Sequence, residues 1–439
     1  DLVLQLGADS VRLIGWYADV NRRIDVVAFG TDGVHWDAAT IEALAPAGGE
    51  NAAPEVANPL VDRSFEAGST LAFLVSADVF HDANGDALEL SASLYGGGAL
   101  PTWLAFDSAT GVFSGSPLAN HIGISHIAVT ATDPEGETAV SDFGLIVRAA
   151  AGSTVTGTAG NDYLYGGTGD ETLIARGGSD YLFGDVGSDL LRGGAGTDVL
   201  QGGAGSDVLR GGAGQNVLDG GAGDDLIYGG AGSALIAGGA GNDILRVGQG
   251  SEVIAFNAGD GMDTLFGGRD GGNTLSFGGG IRYSDIRFTK SGKDLVVGTG
   301  DGEGVTLKNW YGGNHSVLTL QVMLDATEEF DAASGDPLLN RRVQTFDFAA
   351  LVGAYDAARV ATPGLTSWDV TNALLAFHLT GADDAAIGGD LAYWYGKNGG
   401  FAGIGLQSVQ QGIGAPGFGS EAQSLRPFNG LQEGLVKLA

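Results

Sequence analysis

The chain has no cysteine in its 439 residues, so neither disulfides nor thiolate metal sites can staple it. Proline is scarce at 10, which excludes collagen and proline-rich linkers. Basic residues are few: 21 Lys and Arg stand against 53 Asp and Glu, a formal net charge of -32. That balance argues against nucleic acid as a partner, and its self-repulsion has to be offset by something positive. No apolar run is long enough to span a bilayer. The first residues, DLVLQLGADSVRLIGWY, show neither the basic start nor the continuous apolar stretch of a signal peptide. Catalytic signatures are missing as well. There is no GxSxG elbow and no HExxH pair, and the six histidines (His35, His81, His121, His126, His315 and His378) are scattered. Carboxylates are so plentiful that spacing alone nominates no acid–base pair. A non-enzyme is expected.

What the chain has instead is glycine, 79 residues of it, and enough hydrophobic content, 44%, for real cores. Much of the glycine is local. From Gly157 to Ala255 the sequence repeats every nine residues with no insertion, as in GGAGTDVLQ, GGAGSDVLR and GGAGQNVLD, and eleven units fit the frame. The sixth position reads Asp162, Glu171, Asp180, Asp189, Asp198, Asp207, Asn216, Asp225, Ala234, Asp243 and Glu252, and the eighth is always Leu or Ile. Six turn-forming residues reverse the chain, since glycine accepts positive φ at little cost, and three residues form a short strand whose middle member points inward. Two units then close one coil. Leu164, Leu182, Leu200, Leu218, Ile236 and Ile254 line one sheet, and Leu173, Leu191, Leu209, Ile227 and Leu245 the other.

This array resembles the RTX, haemolysin-type, calcium-binding nonapeptide repeat. The resemblance implies a β-roll whose turns bind several calcium ions, which prefer six to eight hard oxygen ligands. Because successive units alternate between the two edges, the sixth positions fall into two ladders of residues eighteen apart. Glu171, Asp189, Asp207, Asp225 and Asp243 form one. Asp162, Asp180, Asp198, Asn216, Ala234 and Glu252 form the other, which fails at Ala234. Asp260 and Asp263, in GDGMD, are candidates to complete the last sites. Turn aspartates ordinarily just bond their own backbone, but eleven units in register favour metal ligation.

Upstream, strand-like runs such as LAFLVSA, LELSASL, HIAVTAT and FGLIV read as a β-sandwich over 54–148. FHDANGDALELSA, LPTWLAFDSATGVFSGSP and VTATDPEG resemble the cadherin-like, dystroglycan-type modules of bacterial surface proteins. Asp82, Asn84 and Asp86 have the alternating oxygen spacing of a calcium loop, with Asp133 as a partner from a neighbouring strand end. Downstream, FNAGDGMDTLFGG and the following IRYSDIRFTKSGKDLVVGTGDGEGVTLKNWYGG resemble the segment that closes RTX arrays, giving a capping β module at 265–330 after the roll at 157–264. Residues 1–46 read as a partial second copy, with Trp16 opposite Trp310, so the chain is expected to be the carboxyl-terminal part of a larger protein. Residues 331–400 read as helical, in three stretches: FDFAALVGAYDAARVA, TSWDVTNALLAFHL and ADDAAIGGDLAYWYG. Residues 401–439 resemble an uncleaved type I secretion signal in composition.

The expected fold is mainly β: a parallel β-roll, an antiparallel β-sandwich and a carboxyl-terminal helical region. The expected function is a calcium-dependent, type I-secreted structural or adhesive protein at a bacterial surface, partnered by the secretion machinery, surface glycans, other cells or copies of itself. Two alternatives stand beside it. One is the export and folding region of a secreted RTX enzyme or toxin, and the other is a subunit of an S-layer or filament.

Overall fold

The computed structural model describes residues 51–267 and 272–439, together with the backbone of four strands in the first fifty residues. Those strands pair as two antiparallel hairpins, Leu2–Leu6 with Asp9–Leu13 and Val26–Phe29 with Val34–Asp37. The rest of the expected 1–46 module, Trp16 included, lies outside the described residues. The architecture is mainly β, and the chain divides into two compact units.

The first unit takes in residues 1–62, 71–115 and 126–144. Leu104–Asp107, Val112–Gly115 and Leu71–Leu74 form a three-stranded antiparallel sheet. Ile127 to Thr132 pairs antiparallel with Glu89–Leu94. Alternation places Leu71, Phe113, Ile127 and Val129 inward, where Phe113 stacks on Phe73 at 5.0 Å between ring centroids and meets Phe143 edge-on at 5.8 Å. Residues 63–70, 116–125 and 145–148, which the sequence assigns to the sandwich, belong to the second unit.

The second unit is built on a parallel solenoid. Its strands pair at a spacing of eighteen residues, Leu173 beside Leu191, Leu209, Ile227 and Leu245 in one sheet, and Leu164 beside Leu182, Leu200, Leu218, Ile236 and Ile254 in the other. These side chains meet between the sheets and are almost wholly buried. The turns tolerate only glycine at certain points: Gly196 has φ of +133°, and a Cβ there would overlap the Gly178 carbonyl in the coil below. Beyond the repeats, Glu303–Leu307 and Val317–Met323 extend the two sheets, followed by antiparallel strands in each.

The 331–400 region is mixed rather than helical. Its first stretch is a helix, α1 (Phe348–Ala361), capped by Asp347, whose Oδ1 accepts the Ala350 N–H at 2.9 Å. The second stretch instead gives the strand Trp368–Asp369, a 3-10 turn at Leu374–Phe377 and the strand His378–Ala382. Both strands add to the open edges of the roll's sheets, Asp369 beside Arg287 and Thr380 beside Thr345. Unpaired edge hydrogen bonds outweigh a weak helical pattern there. The third stretch is strand Ala385–Ile387 followed by helix α2 (Gly389–Asn398).

Residues 401–439 are folded. Helix α3 (Leu406–Ile413) and α2 lie on the outer face of the second sheet, where Leu391, Tyr395, Val409 and Ile413 cluster with Val199, Val217, Leu235 and Val253. The start of α2 sits close against this sheet: a Cβ on Gly388 would stand 3.1 Å from Val253 Cγ2. The final residue reaches back 238 positions, its N–H donating to Gln201 Oε1 at 3.2 Å. Gln410 Nε2 likewise donates to the Ser179 carbonyl at 3.3 Å.

The two sheets therefore have unlike outer faces. Val217 is fully buried beneath the tail, whereas Val208, at the same repeat position in the other sheet, is only partly covered. Val217→Asp is expected to destabilise the calcium-loaded protein by about 3 kcal/mol or more, and Val208→Asp by under about 1 kcal/mol. Urea denaturation midpoints of the two variants check this, and equal shifts would contradict the covered-face assignment.

Candidate metal centre

Each sixth-position residue stands at the start of a repeat strand, so consecutive coils stack these side chains along an edge. On the first edge the stacking is regular. Asp189 Oδ1 accepts the Glu171 N–H at 2.6 Å, Asp207 accepts from Asp189 at 2.7 Å, Asp225 from Asp207 at 2.7 Å, and Asp243 from Asp225 at 2.8 Å. Asp263 continues the series, its Oδ1 accepting the Asp243 N–H at 3.0 Å.

The second edge begins in the same way. Asp180 accepts from Asp162 at 2.8 Å, Asp198 from Asp180 at 3.0 Å, and Asn216 from Asp198 at 3.0 Å. It then breaks. Ala234 has no side-chain oxygen, so the Asn216 N–H turns to the Ser233 carbonyl at 3.2 Å. The edge resumes higher up, where Asn273 Oδ1 accepts the Glu252 N–H at 2.9 Å.

One carboxylate oxygen per rung is used in this way, and the other is left over. Oδ2 of Asp180, Asp189, Asp198, Asp207, Asp225, Asp243 and Asp263, and Oε2 of Glu252, are buried with no hydrogen-bond partner. Leaving such oxygens bare is costly unless a cation takes them. The space is shaped by glycine: a Cβ on Gly193 would overlap Asp198 Oδ2, and one on Gly202 would overlap Asp207 Oδ2. At Asn216 an amide nitrogen takes the leftover position instead, so that rung offers only one oxygen.

Three of the expected residues differ from this pattern. Glu171 already accepts the Gly167 N–H at 2.8 Å and the Gly152 N–H at 2.7 Å, and Asp162 Oδ2 accepts the Thr158 N–H at 2.6 Å, so the first rung of each ladder is tied to local backbone. Asp260 lies off the ladder, its Oδ2 held by the Asn257 N–H at 2.7 Å. Asn273 escapes the nine-residue frame because a longer loop sets it 21 residues after Glu252, yet it precedes Leu275 by two positions, just as Asp198 precedes Leu200.

Burial dominates the electrostatics. It raises Asp207 to about 6, Asp189, Asp198, Glu252 and Asp260 to about 7, and Asp225 to about 8. Asp180 is raised for the same reason. Asp243 and Asp263 are both raised by burial, and the charge of Asp243 pushes Asp263 further. Among the described residues no three His, Asp or Glu side chains converge. The donor set is instead one anionic oxygen per rung amid glycine-rich turns, which suits a hard cation that accepts backbone carbonyls. Calcium bound there would supply the positive charge the stacked carboxylates lack.

The sandwich candidates form turns. Asp82 Oδ1 accepts the N–H groups of Asn84 at 2.8 Å and Asp86 at 3.2 Å, and Asp133 Oδ1 accepts those of Glu135 at 3.0 Å and Glu137 at 2.9 Å. Asn51 and Ala52 tie the two turns together, the first donating to Asp133 and the second to Asn84. The Asn51 amide holds the Asp133 carboxyl below its ordinary range. Only Asp82 Oδ2 is left buried and unpaired in this group.

These features coincide with family similarity. Residues 151–262 match the RTX calcium-binding nonapeptide repeat in eight overlapping placements, and residues 53–148 match a putative Ig domain. The chain thus carries RTX repeats of the haemolysin type, which mark a calcium-binding protein of a kind typically secreted, and no described helix is long and apolar enough to cross a membrane. No curated protein sequence matches the chain significantly. Among solved structures, the extracellular lipase LipA from Serratia marcescens is 18% identical with a TM-score of 0.16, covering 37% of this chain and 38% of that one. A nucleoside hydrolase-related hypothetical protein from Saccharophagus degradans is 24% identical, TM-score 0.19, covering 22% and 26%. The endo-fucoidan hydrolase MfFcnA9 of glycoside hydrolase family 107 is 21% identical, TM-score 0.19, covering 25% and 22%. The chain spans less than two fifths of the length of each, and likenesses this low carry no argument.

The raised carboxyls fix the sign of a pH effect. Groups whose folded pKa lies above the unfolded value contribute stability fully below about pH 4, and lose it as pH rises through about 6 to 8. With chelator present, acidification from pH 8 to 5 is therefore expected to increase β-sheet circular dichroism. At fixed calcium the same acidification weakens binding, because protons and calcium compete for the same oxygens. A pH-independent calcium midpoint would contradict the ladder.

Proposed function

We propose that the chain is a non-catalytic, calcium-folded connector in a structural or adhesive protein at a bacterial surface, exported by a type I system. The observation that carries this reading is the row of buried, partnerless carboxylate oxygens, one per coil from Asp189 to Asp263. Such a row stacks like charges at one strand spacing, roughly 4.8 Å, and a chain rich in glycine loses much conformational entropy on ordering. Where calcium is scarce, as in a cytosol, the array stays unfolded and can be threaded out. Where calcium is plentiful it closes into a rigid roll. The long one-dimensional stack suits transmission of position or force more than chemistry on a small substrate.

The asymmetry of the two edges provides the test. Asp207→Asn removes a charged rung from the unbroken edge and is expected to raise the calcium midpoint of folding roughly tenfold, equivalent to about 1.4 kcal/mol. Ala234→Asp mends the broken edge and is expected to add bound calcium. Titration calorimetry with circular dichroism on the same samples reads both stoichiometry and folding. A spectrum unchanged between chelator and millimolar calcium would overturn the proposal.

A further inference from the structure

The uncovered sheet of the roll carries an ordered row of its own. The array from 157 to 255 contains four basic residues, and three of them, Arg192, Arg210 and Arg246, occupy the ninth position of repeats in that sheet. Pairing places Arg192 beside Arg210, Arg210 beside Tyr228, Tyr228 beside Arg246, and Arg246 beside Phe266. The guanidinium of Arg210 lies 4.4 Å from the Tyr228 ring centroid and that of Arg246 lies 4.3 Å from the Phe266 centroid. All three arginines are exposed, and none has a carboxylate partner among the described residues. In a chain of net charge -32 this is unexpected, since unpaired carboxylates abound.

Alongside runs a second row, Leu190, Val208, Leu226 and Ile244, the last 39% exposed. The sheet therefore presents an apolar stripe beside a cationic one. Stacking on aromatic rings holds the guanidinium planes of Arg210 and Arg246 while leaving N–H edges free for oxyanions, a pre-organised fork suited to carboxylates. Arg210 and Arg246 are two strands apart, roughly 9.6 Å, about the length of two hexose units in an extended chain. Sugar rings add an apolar C–H face for the neighbouring stripe.

We infer that this face is a docking track for an extended acidic polysaccharide, its carboxylates on the arginine row and its sugar rings on the apolar row. The charge complementarity is local: three arginines free of carboxylate partners on one flat face of a strongly anionic protein. The track rests on the calcium-folded roll, so folding and binding have to be measured together.

The test uses the whole chain in millimolar calcium with polygalacturonate as probe, and methyl-esterified polygalacturonate and duplex DNA as comparison arms. Binding is read by surface plasmon resonance and folding by circular dichroism of the same samples. The triple variant R192Q/R210Q/R246Q is expected to fold normally with calcium and to bind polygalacturonate at least tenfold more weakly. R192K/R210K/R246K, which keeps the charge and loses the planar fork, is expected to fall between it and the parent. Arg359→Gln, on helix α1, is expected to change nothing. Undiminished binding by the glutamine variant, or equal affinity of the parent for the methyl ester or for DNA, overturns the inference. Loss of the calcium-induced spectrum in the parent instead sinks the connector reading on which the track depends.

Discussion

Everything in the second unit depends on stacking carboxylates one strand apart in a place where water cannot reach them. The β-roll's register demands it, because eighteen residues return each sixth position to the same edge. Hydrogen bonding satisfies half of each carboxylate, with Oδ1 taking a backbone N–H from the coil below, and leaves the other oxygen bare. Desolvation and mutual repulsion then push these groups toward neutrality, which is why so many titrate far above an ordinary aspartate. A divalent cation relieves both problems at once, and the glycine that makes room for the bare oxygen is the same glycine that makes the unfolded chain so disordered. On the proposed function, folding and metal binding are one equilibrium.

Much of this was legible in the sequence because the period is rigid. The inward residues, from Leu164 to Ile254, and the two ladders follow from counting by nine and eighteen, and the break at Ala234 is visible as a letter. Where the count slips, legibility ends. Asp263 and Asn273 continue the ladders after insertions of two and three residues, and only their distance to the next inward leucine shows it. Asp260, three residues before Asp263, looks equivalent in a string and is a turn former in space.

The carboxyl-terminal region was less legible, for a different reason. Its residues show helical spacing, but much of what they form is decided by a surface that no local pattern encodes. Trp368–Asp369 and His378–Ala382 become strands because sheet edges await them. The tail from Phe401 onward looks like a compositional signal because it is poor in charge, and it is poor in charge because it is buried against the roll. The hint lay in the array. It was the ninth position, where odd repeats carry Gln201, Ala237 and Ala255 and even repeats carry Arg192, Arg210 and Arg246.

That alternation gives the repeat a capacity a simple solenoid lacks. A nine-residue unit with two units per coil sends odd and even repeats to opposite sheets, so substitutions in one set never disturb the outer face of the other. The core and the ladders are shared, but the outer faces differ: one is a socket for the tail, closed by the hydrogen bond that the Ala439 N–H donates to Gln201, and the other carries arginines stacked on aromatic rings. Because the socket is a sheet face, it exists only once the coils are stacked. On the proposed function the tail therefore reports on the metal, and its own buried area adds to the cooperativity of the roll. On the same reading, calcium at the edges would govern both faces, although the ladders that would hold it lie on neither.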